Sequence, residues 1–356
     1  MPASGDHTPS PGAARTPAPL AVVAFGGNAI VRPGQRGLPG EQADNLRPMA
    51  REIGALIEAG WRVAVTHGNG PQVGHIQLQQ AAAAPAVPAM PLDVCGAMSQ
   101  GQIGYLLEQA IAAELARRRL PVPIASVLTQ TLVAPDDAAF ERPTKPIGPF
   151  YDAATARRLQ ARHGWSLVSE AGRGFRRLVP SPAPRRLVER DAIRLLVGAG
   201  VLVIAAGGGG VPVVPLPDGA YRGVEAVIDK DRAACLLARE LGAAALILLT
   251  EVPAVAVHYG TPRQRDLGAV SLAELEALAA AGHFPPGSMG PKVEAAVEFV
   301  RGGGGRAVIT TPALLGEALA GRAGTRVYGD HTAPPPPDVA GEALARRADR
   351  RPVCSS

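Results

Sequence analysis

Lysine is nearly absent from this chain of 356 residues. Of its 36 basic residues only three are lysines, Lys145, Lys230 and Lys292, and the other 33 (36 minus 3) are arginines. Arginine carries a wide planar fork, whereas lysine carries a compact, mobile point charge that suits crowded phosphate oxygens. The three lysines therefore either persist by chance or mark positions that require a compact cation. The sequence around each lysine distinguishes these two explanations.

Other absences exclude several classes of protein. The three cysteines, Cys95, Cys235 and Cys354, are widely separated, which argues against a disulfide framework or a cysteine zinc site. The seven histidines form no HExxH motif. No apolar run approaches membrane-spanning length, and the N-terminus lacks the charged and apolar regions of a signal peptide. We therefore expect a cytoplasmic protein with no membrane partner.

The positive charge does not by itself indicate a nucleic-acid partner. The formal net charge is +5, but aromatic residues make up only 4% of the chain and no basic run is interleaved with them. Several arginines fall in the last residues of the chain, where they do not indicate a binding face. Because nucleic-acid sites combine a basic face with recognisable motifs, we expect no nucleic acid among the partners.

The chain divides into a domain, residues 20–330, between two tails. Residues 1–19 are rich in proline, alanine and serine, and residues 331–356 contain a proline run, so both tails are predicted to be disordered. Between them, apolar runs alternate with helical patterns, and 47% of the chain is apolar, enough for a sizeable core. The predicted strands are 20–25, 61–66, 123–128, 201–206, 244–250 and 307–310.

These apolar runs predict an α/β fold. Each run is nearly continuous, as in parallel strands covered on both faces. We therefore expect an open, mainly parallel central sheet with helices on both faces, an α/β/α sandwich, with helices at 47–59 and around 103–111. The stretch 129–186 is rich in proline, glycine and arginine and is too long for an ordinary connection. We predict that it is an inserted lid subdomain.

Glycine clusters follow three of the predicted strands. In an open α/β sheet, ligands bind outside the carboxyl ends of the strands, and glycines let backbone N–H groups approach an anion. One cluster alone would fit a tight strand-to-helix turn, but three together favour bound phosphate or another anion. P-loop, GxGxxG, protein-kinase and hydrolase-elbow motifs are absent. The clusters lie at 26–28, 68–70 and 207–210.

The neighbours of the lysines also favour phosphate chemistry. Lys145 lies inside the predicted lid, and Lys230 and Lys292 lie at predicted helix starts, where bound phosphate is stabilised. Asp229, next to Lys230, fits two roles, a carboxylate that orients ammonium groups and a helix N-cap. His67 precedes the second glycine cluster, and we assign it to loop structure rather than to proton transfer.

Eight stretches of the sequence resemble the carbamate kinases of the amino acid kinase family. They occur in family order and spacing between about residues 20 and 328, and the motif PTKPIGPF separates carbamate kinases from acetylglutamate and aspartate kinases. The stretches are AFGGNAI (24–30), THGNGPQVG (66–74), MSQGQIGY (98–105), PTKPIGPF (143–150), AGRGFRRLVPSP (171–182), GGGGVPVV (207–214), GVEAVIDKD (223–231) and GSMGPKVEAA (287–296).

The resemblance implies the amino acid kinase fold, a homodimer, and a reversible reaction in which ATP and carbamate give ADP and carbamoyl phosphate with Mg²⁺. It also implies that carbamoyl phosphate is used to make ATP in arginine or related nitrogen catabolism. The motifs imply that carbamoyl phosphate and the transferring phosphoryl group are held by Gly26, Gly27, Asn28, Gly68, Asn69 and Gly70.

The resemblance further implies catalytic and nucleotide-binding residues. Lys145 would reach in from the lid, and Lys230 and Lys292 would stabilise the phosphates, with Asp229 ordering them. No residue is assigned as a metal ligand. The nucleotide would be bound by Gly207, Gly208, Gly209, Tyr259 and Met289.

The sequence departs from the family pattern at Glu251 and Pro253, which puts nucleotide contacts in question, and at Phe25 and Phe175. Two alternatives remain open. One is a kinase for another small carboxylate or phosphonate, against which the intact PTKPIGPF motif argues. The other is a non-catalytic nucleotide-sensing protein on the same fold, against which the retained lysines and Asp229 argue.

Overall fold

A computed structural model describes residues 18–32, 34–170, 172–285 and 287–329, so both predicted tails lie almost entirely outside the described residues. The strands are β1 (Leu20–Phe25), β2 (Arg62–His67), β3 (Ile124–Ser126), β4 (Gln130–Leu132), β5 (Lys145–Tyr151), β6 (Ser166–Glu170), β7 (Gly174–Val179), β8 (Arg186–Leu187), β9 (Leu202–Ile204), β10 (Val211–Pro215), β11 (Tyr221–Gly223), β12 (Ala245–Leu249), β13 (Ala256–Val257), β14 (Arg265–Asp266), β15 (Ala269–Ser271), β16 (Arg306–Thr310) and β17 (Thr325–Tyr328). The α-helices are α1 (Pro39–Glu58), α2 (Gly70–Ala83), α3 (Leu92–Arg118), α4 (Ala153–His163), α5 (Arg190–Gly198), α6 (Lys230–Glu240), α7 (Leu272–Ala280), α8 (Met289–Arg301) and α9 (Leu315–Leu319).

Eight strands form the central sheet, in the order β15-β17-β16-β12-β1-β2-β9-β3. Neighbouring strands are parallel except for the antiparallel pair β16 and β17. The predicted strands correspond to β1, β2, β3, β9, β12 and β16, and their ends differ from the prediction by at most two residues. The predicted open, mainly parallel sheet is confirmed.

Strand β1 shows why the sheet is covered on both faces. Successive side chains of a strand point to opposite faces, and all six residues of β1 are buried. Full burial of a Val, Leu or Phe side chain stabilises the fold by about 1.5–3 kcal/mol. On one face of β1, Leu20, Val22 and Ala24 belong to the same buried apolar cluster as residues of α6 and α8. On the other face, Ala21, Val23 and Phe25 belong to the cluster that contains residues of α1 and α3.

Helices α1 and α2 are among those that differ from the prediction. Helix α1 begins at Pro39 rather than at residue 47 and continues through Pro48. Its start is capped by Glu41, whose Oε2 accepts a hydrogen bond from the backbone N–H of Leu38 at 2.8 Å. Helix α2 was not predicted, because its glycines, proline and glutamines give it little apolar periodicity. Within the described ranges, no helix is both long and apolar enough to cross a membrane.

The segment 129–186 contributes to two smaller sheets. Strands β5, β7 and β6 form a three-stranded antiparallel sheet, against which α4 packs. Strands β4 and β8, near the ends of the segment, pair instead within the four-stranded sheet β11-β10-β4-β8. The middle of the segment therefore forms a sheet of its own, which carries Lys145. At the ends of the segment, β4 pairs with β10, directly after the third glycine cluster, and β8 pairs with β4.

Candidate active site

The first two glycine clusters meet at the carboxyl ends of the neighbouring strands β1 and β2. The backbone N–H of Gly68 donates a hydrogen bond to the carbonyl oxygen of Phe25 at 2.8 Å. A Cβ atom at Gly68 would lie 2.8 Å from the backbone nitrogen of Gly27 and 3.0 Å from Cδ of Lys230. Only glycine fits there, and the structure brings both clusters together with Lys230.

The third glycine cluster follows β9, the next strand along the same edge, and is fully buried. A Cβ at Gly208 would lie 2.2 Å from Nδ2 of Asn69, and one at Gly209 would lie 2.6 Å from the carbonyl oxygen of Ile228. Both glycines also have positive φ, 66° and 94°. Close packing and backbone conformation therefore already require these glycines, and contact of Gly207, Gly208 and Gly209 with the nucleotide stays a prediction.

Asn69 and His67 are held in place by buried hydrogen bonds. Nδ2 of Asn69 donates to Oγ of Ser99, on α3, at 2.8 Å. Nδ1 of His67 lies 3.1 Å from the carbonyl oxygen of Gly68. Burial lowers the pKa of His67 to about 4, although this backbone hydrogen bond opposes the shift. The ring is therefore neutral and weakly basic near pH 7, as suits a residue that shapes the loop.

The three lysines meet around Asp229 and Asp231. Nζ of Lys145 donates to Oδ2 of Asp229 at 2.5 Å. Nζ of Lys230 donates to both carboxylate oxygens of Asp231 at 2.9 Å each, and Nζ of Lys292 donates to Oδ2 of Asp231 at 3.1 Å. Three ammonium groups against two carboxylates leave an excess positive charge, which suits an anionic ligand.

Asp229 caps the start of α6, as predicted, but the lysine that it binds is Lys145 rather than Lys230 or Lys292. Its Oδ1 accepts a hydrogen bond from the backbone N–H of Asp231 at 2.9 Å, at the start of α6. A capping carboxylate folds back over the free N–H groups of its helix, which leaves Asp229 one oxygen, and that oxygen holds Lys145. As a correction to the sequence analysis, Asp231 rather than Asp229 hydrogen-bonds Lys230 and Lys292.

Asp231, which is only 3% exposed, is a site residue that was not predicted from the sequence. A signal was present in the Asp-Lys-Asp run at 229–231, where a second carboxylate follows the lysine. Buried carboxylates are rare unless they are paired, and here the structure shows two pairings at once. Asp231 therefore holds two lysine ammonium groups in place.

The charge states follow from burial and from these ion pairs. Burial alone would raise the pKa of Asp229, but the charges of Lys145 and Lys230 hold it well below its usual range. Burial disfavours the charged form of Lys230, yet Asp231 and Asp229 raise its pKa above the ordinary lysine value. Burial and the charge of Lys230 lower the pKa of Lys292. Near neutral pH, Asp229 is thus anionic and Lys230 cationic.

The strand that carries Lys145 lies directly against α2. A Cβ at Gly74 would lie 2.0 Å from Cα of Gly148, so the two backbones touch. Gly148 has a positive φ of 75°, and its carbonyl oxygen accepts a hydrogen bond from Nε of Arg176 at 3.1 Å. This contact fixes Lys145 relative to the helix that begins at Gly70.

Met289 and Tyr259, both predicted to bind the nucleotide, lie in different parts of the structure. Met289 is the first residue of α8, the helix that carries Lys292. Tyr259 lies between β13 and β14 and is 61% exposed. The structure therefore links Met289 to the lysine cluster through α8, whereas a role for Tyr259 rests on the resemblance.

Comparison with known proteins identifies the family of the chain. The sequence matches the amino acid kinase family over residues 19–311. It is 49% identical to the carbamate kinase of Pyrococcus furiosus over 308 residues, 86% of this chain and 98% of that protein. Its identity to the carbamate kinase of Staphylococcus haemolyticus is 46% over 309 residues, 86% of this chain and 98% of that protein. The AMP-PNP-bound carbamate kinase structure from Giardia lamblia is similar with a TM-score of 0.82 at 44% identity, over 88% of this chain and 99% of that one.

The chain belongs to the amino acid kinase family, and it is a phosphotransferase. Within the family it groups with the carbamate kinases, as its motifs had indicated.

Proposed function

We propose that this enzyme transfers a phosphoryl group reversibly between ATP and carbamate, giving ADP and carbamoyl phosphate. The observation that carries the proposal is the convergence of Lys145, Lys230 and Lys292 beside the first two glycine clusters. In the cell it would make ATP from carbamoyl phosphate during catabolism of arginine or related nitrogen compounds. Its dependence on ATP and ADP, and the free thiols of Cys95 and Cys235, support a cytoplasmic location, which cell fractionation can test.

Charge stabilisation rather than proton transfer would accelerate this reaction. The attacking oxygen of carbamate is already anionic, so a strong general base is not required. As it bonds to the γ-phosphorus, the bond to the ADP oxygen breaks and negative charge spreads over the equatorial oxygens. Lys230 and Lys292, held by Asp231, are preorganised cations that would stabilise this charge. Lys145 would add a third cation from β5.

We propose that Mg²⁺ enters on the nucleotide phosphates as part of the substrate. Mg²⁺ usually keeps several waters and is bound through substrate phosphates with one or two carboxylates. In the part of the chain that the structure describes, no group of three or more His, Cys, Asp or Glu residues could hold a metal. Both oxygens of Asp231 are already bound by lysines, which favours a metal carried by the nucleotide.

We also propose that the enzyme is a homodimer that pairs through α3. Val94, Met98 and Tyr105 are exposed apolar residues on this helix, and Gly101 lies among them. Their spacing of four, three and four residues places them on one face of α3. We expect a dimer mass in solution by light scattering and a monomer mass for the Met98→Glu variant. A monomeric wild-type protein would contradict this proposal.

A coupled assay tests the reaction. Purified protein with ADP, Mg²⁺ and carbamoyl phosphate is expected to form ATP, measured with luciferase. A Lys292→Met variant, purified in parallel, controls for contaminating kinases and is expected to form little ATP. If the wild-type protein forms no ATP, or no more than the variant, the proposed reaction is wrong. ATP formed only from other acyl phosphates would favour the alternative kinase function.

A further inference from the structure

Gln72 places an unpaired polar atom beside the first two glycine clusters. It is the third residue of α2 and is 2% exposed. Its Oε1 accepts no hydrogen bond from any described residue. A buried acceptor without a donor costs about 1–3 kcal/mol, and such atoms in native proteins call for an explanation.

A chain of amides determines which atom of Gln72 faces the glycine clusters. Nε2 of Gln42, on α1, donates to the carbonyl oxygen of Gly37 at 2.7 Å. The remaining oxygen of Gln42 accepts a long hydrogen bond from Nε2 of Gln72, at 3.4 Å. Because an amide carries its donors only on nitrogen, Gln72 presents an acceptor on its other side.

This acceptor lies where the two loops cross. A Cβ built on Gly27 would lie 3.6 Å from Oε1 of Gln72 and 3.3 Å from the backbone nitrogen of Gly70. A Cβ built on Gly68 would in turn lie 2.8 Å from the backbone nitrogen of Gly27 and 3.0 Å from Cδ of Lys230. The unpaired oxygen is therefore next to the residues that the motifs assign to carbamoyl phosphate.

We propose that Gln72 determines substrate specificity by accepting a hydrogen bond from the amino group of carbamate and carbamoyl phosphate. This inference rests on the proposed function. Acetyl phosphate shares the carbonyl and the phosphate but carries a methyl group in place of the amino group. A buried acceptor gains a partner from the amino group and stays unpaired against the methyl group, so it selects between the two. Because the oxygen is closed off from solvent, the inference requires the turn at Gly27–Ala29 to shift when the amino group binds.

The test compares carbamoyl phosphate with acetyl phosphate as phosphoryl donors to ADP. We expect the ratio of their kcat/KM values to fall by about 10–100-fold in the Gln72→Leu variant, mainly through slower use of carbamoyl phosphate. The KM for ADP is expected to stay unchanged. If turnover of acetyl phosphate is too slow to follow, its inhibition constant against carbamoyl phosphate is compared with the KM for carbamoyl phosphate, and the preference for carbamoyl phosphate is again expected to fall in the variant.

The matched control is Gln79→Leu, an exposed glutamine on the same helix, which is expected to keep the wild-type ratio. Gln72→Met, which preserves the length of the side chain, replaces Gln72→Leu if that variant does not fold. An equal fall in kcat/KM with both phosphoryl donors would indicate that Gln72 has a purely structural role, and it would overturn the inference. A wild-type enzyme inactive with carbamoyl phosphate would instead overturn the proposed function.

Discussion

Replacing Lys230 or Lys292 with arginine is expected to lower kcat for ATP formation by about tenfold to a thousandfold, although the positive charge is kept. Both lysine side chains are nearly enclosed, at 15% and 11% exposed, and both ammonium groups bind Asp231 at 2.9–3.1 Å. A planar guanidinium is larger and directs its N–H groups in a fixed fork. It therefore cannot occupy the same points while phosphate oxygens crowd around them.

Steady-state measurement of kcat and KM with carbamoyl phosphate and ADP checks this expectation. The matched control is the reverse exchange, Arg232→Lys, one residue beyond Asp231. Arg232 is 43% exposed and pairs with Glu294 on the surface, so its exchange is expected to leave kcat near the wild-type value. Near-wild-type rates for both Lys230→Arg and Lys292→Arg would show that a compact cation is not required.

The Asp231→Asn variant is expected to lose about 3–5 kcal/mol of unfolding free energy, because it leaves two buried ammonium groups without their counter-ion. Asn keeps the shape of the side chain and removes its charge. We also expect a large fall in kcat, since Lys230 and Lys292 would no longer be held in place. Urea denaturation measures the stability, and the ATP assay measures the rate.

Two further variants separate this effect from ordinary ion-pair loss. Glu294→Gln breaks the exposed pair with Arg232 and is expected to cost less than about 1 kcal/mol. Adding Lys292→Met to Asp231→Asn removes one of the unpaired cations and is expected to recover part of the lost stability. If Asp231→Asn is as stable as Glu294→Gln, Asp231 is not the counter-ion that organises this cluster.

Most of the central sheet was predictable because its strands are buried on both faces. Strands such as β1 and β12 appear in the sequence as continuous apolar runs, so residue type alone locates them. Helix α2 was not predictable in this way, because its stability comes from what it packs against. Its residue Gly74 allows backbone contact with Gly148, and that contact leaves no periodic apolar signal in the sequence.

The candidate site was predictable in its chemistry but not in its pairings. The scarcity of lysine and the glycine clusters after strands identified Lys145, Lys230 and Lys292 as candidate phosphate-binding cations. Nothing in the sequence assigned Asp231 to Lys292 or left one oxygen of Gln72 unpaired. Those arrangements depend on residues that are distant in the chain.

By itself, the sequence determined which residue types this protein has available for phosphate chemistry and which segments form its sheet, because both depend on local composition and spacing. Only the tertiary structure decided which carboxylate holds which lysine. Lys145 meets Asp229 across 84 positions, and Lys292 meets Asp231 across 61. Such pairings are set by how β5 and α8 pack beside the start of α6, and packing between distant elements is not encoded in any local pattern.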